Sequence, residues 1–285
     1  MKKSISLRMF RTLQKAKDRL GTEAKSRIVE YIRSQQINNG MFTNRNQLAV
    51  DPYYSVFGFM LTSIFGIKIN THIAIDQHNK YEIDPYNLTS FSSYIRTSHL
   101  IAVNINKLRA TWNPKVKGKL SFNSFPNGDP TSPYSQFLLW CLKEDLKYKI
   151  SDKLKILQSL DNYRTTKGGF SNIKGENSIS TNATAAAMLL KGQIKGYKTD
   201  NDVYTLREMQ EDMGGFKASE VAPTPDLLST ATALFALSCY KLAPRVNATN
   251  FVEAHWNDNG GFAGTIADEN TDIEYTFYAL LALGT

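Results

Sequence analysis

Apolar residues in this chain cluster into blocks, and the blocks alternate with more polar stretches. VFGFML follows Ser55, QFLLWCL follows Ser135, AAAMLL follows Thr184, ATALFAL follows Thr230 and FYALLAL follows Thr276. A stretch that is apolar nearly all round reads as a helix buried on most sides. The intervening segments Glu23–Gln36, Asp152–Arg164, Asn201–Gln210 and Asn247–His255 are polar with an apolar stripe at helical spacing. They predict amphipathic helices with one wet face.

The two kinds of helix alternate in a fixed register. Gly168-Gly169-Phe170, Gly214-Gly215-Phe216 and Gly260-Gly261-Phe262 recur every 46 residues, and each Phe is followed 14 residues later by Thr184, Thr230 or Thr276. Weaker copies lie upstream, at Gly40-Met41-Phe42 with Ser55 and at Phe125 with Ser135. A sixth, near Thr89 to Val103, lacks Gly-Gly-Phe. Four residues before each hydroxyl stands Asp51, Thr131, Ser180, Asp226 or Asp272. All five are helix-capping types, whose side-chain oxygen satisfies free amides of the first turn. Pro52 suits the first helical position after Asp51, and paired glycines mark a turn with unusual backbone angles. The hydroxyl column itself reads as local capping or backbone bonding.

Each unit is therefore polar helix, glycine turn, apolar helix. Six of them predict an all-α, six-hairpin double barrel, an α/α toroid, in which apolar helices form the inner barrel. An open solenoid is the alternative. No polar capping repeat follows the last apolar helix, which favours the closed ring. One domain, 1–285, is expected, with residues 1–20 as a basic N-terminal helix or arm.

A net charge of +8 favours anionic partners. The cations are not gathered into an aromatic-interleaved patch, so nucleic acid is not expected. They are densest at the N-terminus (Lys2, Lys3, Arg8, Arg11, Lys15, Lys17, Arg19) and at Lys115, Lys117 and Lys119. Both segments read as solvated surface. At the N-terminus, Ile5, Leu7, Phe10 and Leu13 add an apolar side that would allow peripheral membrane contact. Cys141 and Cys239 sit in apolar blocks and read as buried thiols. No signal-peptide pattern opens the chain, and the apolar run from Tyr53 to Ile67 is too short to span a bilayer. A cytoplasmic location is the simplest expectation.

The Gly-Gly-Phe turn followed by Asp272-Ile-Glu-Tyr-Thr and an apolar helix resembles the repeat of protein prenyltransferase β subunits and of squalene–hopene and related class II terpene cyclases. The resemblance covers most of the chain and is strongest over 160–285. It implies an α/α toroid whose aromatic-lined central cavity receives an isoprenoid chain, and it allows a partner subunit. The prenyltransferase zinc ligands do not carry over. Asp226 matches the Asp of their Asp-x-Cys, but Leu228 stands in the Cys place; beside Asp272, Glu274 and Tyr275 stand where Cys and His belong. Neither that zinc site nor any other metal or cofactor is expected. Glu220 and Pro223 stand roughly where the family's diphosphate-gripping basic pair lies.

The cyclase acid motif Asp-x-Asp-Asp-Thr shares its frame with Asp272-Ile273-Glu274-Tyr275-Thr276. It places Glu274 at the proton donor's position, with Asp272 beside it. Such an acid must stay protonated in an apolar cavity, and aromatic faces must stabilise the cation it creates. Tyr53, Tyr54, Tyr134, Tyr275, Phe277 and Tyr278, at or near apolar-helix starts, are the candidates to line the cavity, with Asp226. The bland readings stand beside these: Asp226 and Asp272 as caps favoured by the helix dipole, and the aromatics as core. Glu274 is an exception in a column that otherwise reads Tyr53, Pro133, Asn182 and Leu228. Three functions compete: an isoprenoid enzyme of terpene-cyclase or prenyltransferase type; a non-catalytic toroid binding a lipid or protein partner; and a carbohydrate-active barrel with Asp226 and Glu274 as paired carboxylates.

Overall fold

The computed structural model describes residues 4–104, 129–151, 153–194 and 200–285. Lys2, Lys3, Lys115, Lys117, Lys119, Phe125 and the expected helix start at Asp152 fall outside these. After the N-terminal helix α1 (Ile5–Arg19), outer and inner helices alternate. The described outer helices are α2 (Thr22–Ser34), α4 (Thr71–Lys80), α7 (Lys153–Leu160, continued as a 3-10 turn to Tyr163), α9 (Asp200–Glu208) and α11 (Thr249–Glu253). The inner ones are α3 (Pro52–Phe65), α5 (Leu88–Asn104), α6 (Pro133–Asp145), α8 (Thr181–Gly192), α10 (Leu227–Cys239) and α12 (Ile273–Leu283). The weak copy near Thr89 to Val103 is thus a full inner helix. The last outer helix is only five residues long, shorter than Asn247–His255 promised.

Each inner helix packs on the next, and α12 returns to pack on α3, so the ring is closed rather than a solenoid. The outer layer closes the same way. The turn at Gly168 abuts α9, that at Gly214 abuts the segment leading into α11, and that at Gly260 abuts Arg27 of α2 in the first repeat. These three glycines have φ of +93°, +97° and +90°, a region costly for residues with a Cβ. At Gly260 a Cβ would also meet the Arg27 carbonyl oxygen at 2.4 Å.

The 14-residue spacing has a physical cause. The backbone N–H of Phe42, Phe170, Phe216 and Phe262 donates to the hydroxyl of Ser55, Thr184, Thr230 and Thr276 at 3.0, 3.0, 2.8 and 3.2 Å. The hydroxyl column therefore ties each glycine turn to its inner helix, and Thr230 and Thr276 also donate to the carbonyls of their caps Asp226 and Asp272, the local backbone bonding expected. Two of these turns carry short antiparallel ladders: β1 (Phe216–Lys217) with β2 (Pro225–Asp226), and β3 (Phe262–Ala263) with β4 (Thr271–Asp272).

Capping follows expectation at Asp51, Ser180, Asp226 and Asp272, each accepting a first-turn amide. In the third repeat it does not. The cap is Ser132, accepting from Ser135 N–H at 3.3 Å, while the Thr131 hydroxyl bonds Asp129 and Tyr163. This one-residue shift removes Ser135 from the hydroxyl column. Buried Gln136 takes its position and donates to the Thr131 carbonyl and to Ser159. Helix α5 starts from Asn87, which accepts from Ser90 N–H at 3.0 Å.

Helix α1 lies across one end of the barrel, against α3, α6 and α12. The Ile5 N–H donates to Glu144 at the end of α6, Lys17 to the Ile64 carbonyl near the end of α3, and Arg19 to the Leu283 carbonyl of α12. A basic helix thus meets the carbonyl ends of inner helices, where helix dipoles favour cations. Its apolar side is divided: Ile5 and Leu13 are buried in the core, Leu7 and Phe10 face outward. Burial of the inner helices, such as Leu227, Leu234, Phe235 and Leu237 of α10, supplies about 1.5–3 kcal/mol per large side chain. Among the described residues no helix is long and apolar enough to cross a membrane.

Candidate functional site at the centre of the ring

The inner helices present the same offsets from their caps to the ring axis, so they run parallel and in register. Two residues after each cap come Tyr53, Thr89, Tyr134, Asn182, Leu228 and Glu274; all but Glu274 line a central cavity of about 240 Å³. Four residues deeper, one turn on, Phe57, Ser93, Leu138, Ala186, Thr232 and Tyr278 all line it. Below these stand Met60, Arg96, Leu189, Phe235 and Leu281, and Met9 of α1 contributes from the closed end. The space exists because α5 and α8 offer small side chains (Ser92, Ser93, Ala185, Ala186) where α3, α6 and α12 offer large ones.

The wall formed by α3 and α12 is aromatic. Tyr53 meets Phe57 edge-on at 5.2 Å, Phe57 meets Phe277 at 5.1 Å and Tyr278 at 5.6 Å, and Phe277 meets Tyr278 at 5.5 Å. Packing of this kind fixes ring orientation. It leaves ring surfaces of four aromatic residues facing one space.

Glu274 sits at the rim of that wall. It is buried, and its Oε1 accepts the Tyr53 hydroxyl at 2.5 Å. Burial pushes its pKa up to about 7; the Tyr53 hydrogen bond opposes this, the nearby Asp272 adds to it, and Arg45 opposes it. Its charge acts on the buried hydroxyls of Tyr134 and Tyr278, so the carboxyl stands close to the cavity without lining it. Asp272 is also buried. Its Oδ1 caps α12 by accepting from Tyr275 N–H at 2.8 Å, and its Oδ2 lies 3.7 Å from Arg45 Nε. Burial raises its pKa to about 6 against those backbone bonds and the Arg45 charge. Arg45 also pairs with Asp268 and lies over the Tyr275 ring, fastening the first repeat's loop to the last's.

The sequence candidates therefore divide. Tyr53, Tyr134, Phe277 and Tyr278 reach the cavity, and Glu274 adjoins it through Tyr53. Tyr54 and Tyr275, three positions after their caps, turn about 100° away from the inward column. Tyr275 packs on Gly264 and Arg45 instead. Asp226 commits both carboxylate oxygens to Ser229, one to its N–H and one to its hydroxyl, as a cap. The sequence reading missed Arg96, Ser92 and Ser93, because α5 has no Gly-Gly-Phe to set its register. Cys141 is buried and Cys239 half-buried; both are free thiols with pKa raised by burial. Among the described residues no group of three or more His, Cys, Asp and Glu side chains is placed to hold a metal ion.

The family model of the prenyltransferase alpha-alpha toroid domain matches residues 6–202 and again 183–285. The chain belongs to that family. Curated proteins give no match.

Proposed function

We propose that this chain is an isoprenoid-handling enzyme of the terpene-cyclase or prenyltransferase-like kind, acting on a polyprenyl chain in the central cavity, with Glu274 as its acid. The observation that carries this reading is the contact of a buried carboxyl, held near neutral pKa, with an aromatic wall facing an apolar space. Membership of a prenyltransferase toroid family supports the substrate class.

In this reading the protonated Glu274 carboxyl, positioned at the cavity rim by the Tyr53 hydroxyl, gives its proton to an alkene carbon, whose π electrons form the new C–H bond. The products are a tertiary carbocation and a Glu274 carboxylate, and the proton is recovered when the cation later loses one. Arg45 steadies the carboxylate left behind. The faces of Tyr53, Phe57, Phe277 and Tyr278 stabilise the cation by cation–π attraction, each by about 0.5–2 kcal/mol. Incubation with linear polyprenyl chains, followed by mass spectrometry of the products, tests it. Glu274→Gln lowers turnover by roughly 10²–10⁴-fold if Glu274 is the proton source. Unchanged turnover removes that role.

A second reading, a toroid that binds a lipid or a protein partner without converting it, is favoured by one observation: Tyr53 lines the cavity and the acid behind it does not. Copurified lipid with no conversion of any polyprenyl chain decides for it.

A further inference from the structure

Arg96 is the one charged side chain among the described residues that line the central cavity. It belongs to α5, the wall of small side chains, with Ser92 and Ser93 beside it. Its side chain is 17% exposed and its Nε donates to Asp145 Oδ2 at 3.2 Å. Its two terminal Nη groups have no hydrogen-bond partner among the described residues. Its charge is felt by Tyr134, on the neighbouring helix α6, and by Tyr278 of α12, both lining the same space.

Charge balance limits what these donors accept. Arg96 and Asp145 already form a neutral pair, so the cavity offers strong donors without net positive charge. A diphosphate would bring two or more charges into an enclosed, mainly apolar space with no cation left to match them, which is costly. A pure hydrocarbon would cover the Nη groups and leave them without water or partner, which also costs. An uncharged oxygen acceptor satisfies them without adding charge.

Resting on the isoprenoid reading above, we propose that the cavity takes an apolar chain bearing one uncharged oxygen, an alcohol, carbonyl or ether, and that Arg96 holds this oxygen against the α5 wall. Arg96 then sets both the head-group class and the direction in which the chain lies, with its tail along the aromatic wall.

Calorimetry with three probes of equal chain length, farnesol, farnesyl diphosphate and the saturated hydrocarbon farnesane, tests the proposal on the intact protein. Farnesol is expected to bind the unmodified chain about tenfold more tightly than either of the others, the worth of one hydrogen bond to a charged donor. Arg96→Met is expected to abolish the preference for farnesol over farnesane, farnesol losing affinity and farnesane gaining it because no unpaired donor is then covered. Arg96→Lys, which keeps the charge and one donor, is expected to fall between. The ranking of the three probes on the unmodified chain is independent of how well any variant folds. Tightest binding of the diphosphate, or equal losses of farnesol and farnesane in Arg96→Met, overturns the assignment of Arg96 and leaves the isoprenoid reading standing. Binding of none of the three overturns the isoprenoid reading itself.

Discussion

Tyr53, on the first inner helix, donates its hydroxyl to Glu274, on the last, across the seam that closes the ring. The bond spans 221 residues of sequence and holds one edge of the aromatic wall. Because it favours the charged form of Glu274, Tyr53→Phe is expected to raise the Glu274 pKa further above about 7. Carboxyl signals of ¹³C-labelled glutamate, followed through a pH titration, check the direction. A downward shift contradicts the assignment. The lost bond costs roughly 0.5–1.5 kcal/mol of stability.

The pH dependence of folding carries a second signature. Glu274 is raised from 4.5 to about 7 and Asp272 from 3.8 to about 6, both mainly by burial. The folded state therefore binds more protons than the unfolded chain between those limits. The stability these groups contribute is full below about pH 4 and is lost as pH rises through 6 to 7. Glu274→Gln removes its share of that slope. The variant and the unmodified protein should match near pH 4.5, with the variant gaining by roughly 2–3 kcal/mol above pH 8. Denaturant unfolding at a series of pH values measures the difference, and parallel curves would count against a buried, titrating Glu274.

The hydrogen bond from each Phe N–H to its hydroxyl is buried. Thr230→Val keeps shape and removes the acceptor for Phe216, leaving a buried N–H unmatched. It is expected to cost about 1–3 kcal/mol, with Thr230→Ser restoring most of it. Thermal unfolding of the two variants separates this role from simple packing.

Gly260 combines a φ of +90° with the Arg27 carbonyl oxygen 2.4 Å from where a Cβ would stand. Gly260→Ala strains the backbone and pushes the last repeat away from the first. A loss of more than about 1 kcal/mol is expected. Gly21, whose added Cβ would meet nothing within 4 Å, offers a comparison in which little should change beyond a small capping effect.

The repeat was readable wherever Phe, hydroxyl and cap are locked together by hydrogen bonds, since such bonds permit little variation in spacing. It blurred where the locks change. Thr131 and Ser132 are both capping types, and Gln136 replaces the hydroxyl, so the third repeat reads one residue out of register. The site was legible in part for a related reason. Aromatics near a helix start are visible in sequence, but which of them faces the axis depends on one step of rotation. That step separates Tyr53 from Tyr54 and Glu274 from Tyr275. Arg96 lies on the helix without the marker motif, so nothing local indicated that it points inward. The capping role of Asp226 follows from its position alone, and each of its oxygens accepts one bond from Ser229.

Helix α1 stitches together the far ends of α3, α6 and α12 and meets Gly284 so closely that the Thr12 carbonyl oxygen lies 1.9 Å from where a Cβ on that glycine would be. A linear array of helix pairs can unravel from either tip, losing one unit at a time. A hoop fastened by its own leading segment has no tip to fray. Opening it between α12 and α3, which α1 bridges, exposes both faces of the break and frees the clasp as well. Equilibrium unfolding should then be one steep transition, and deleting residues 4–20 should turn it into a shallow, multistep one.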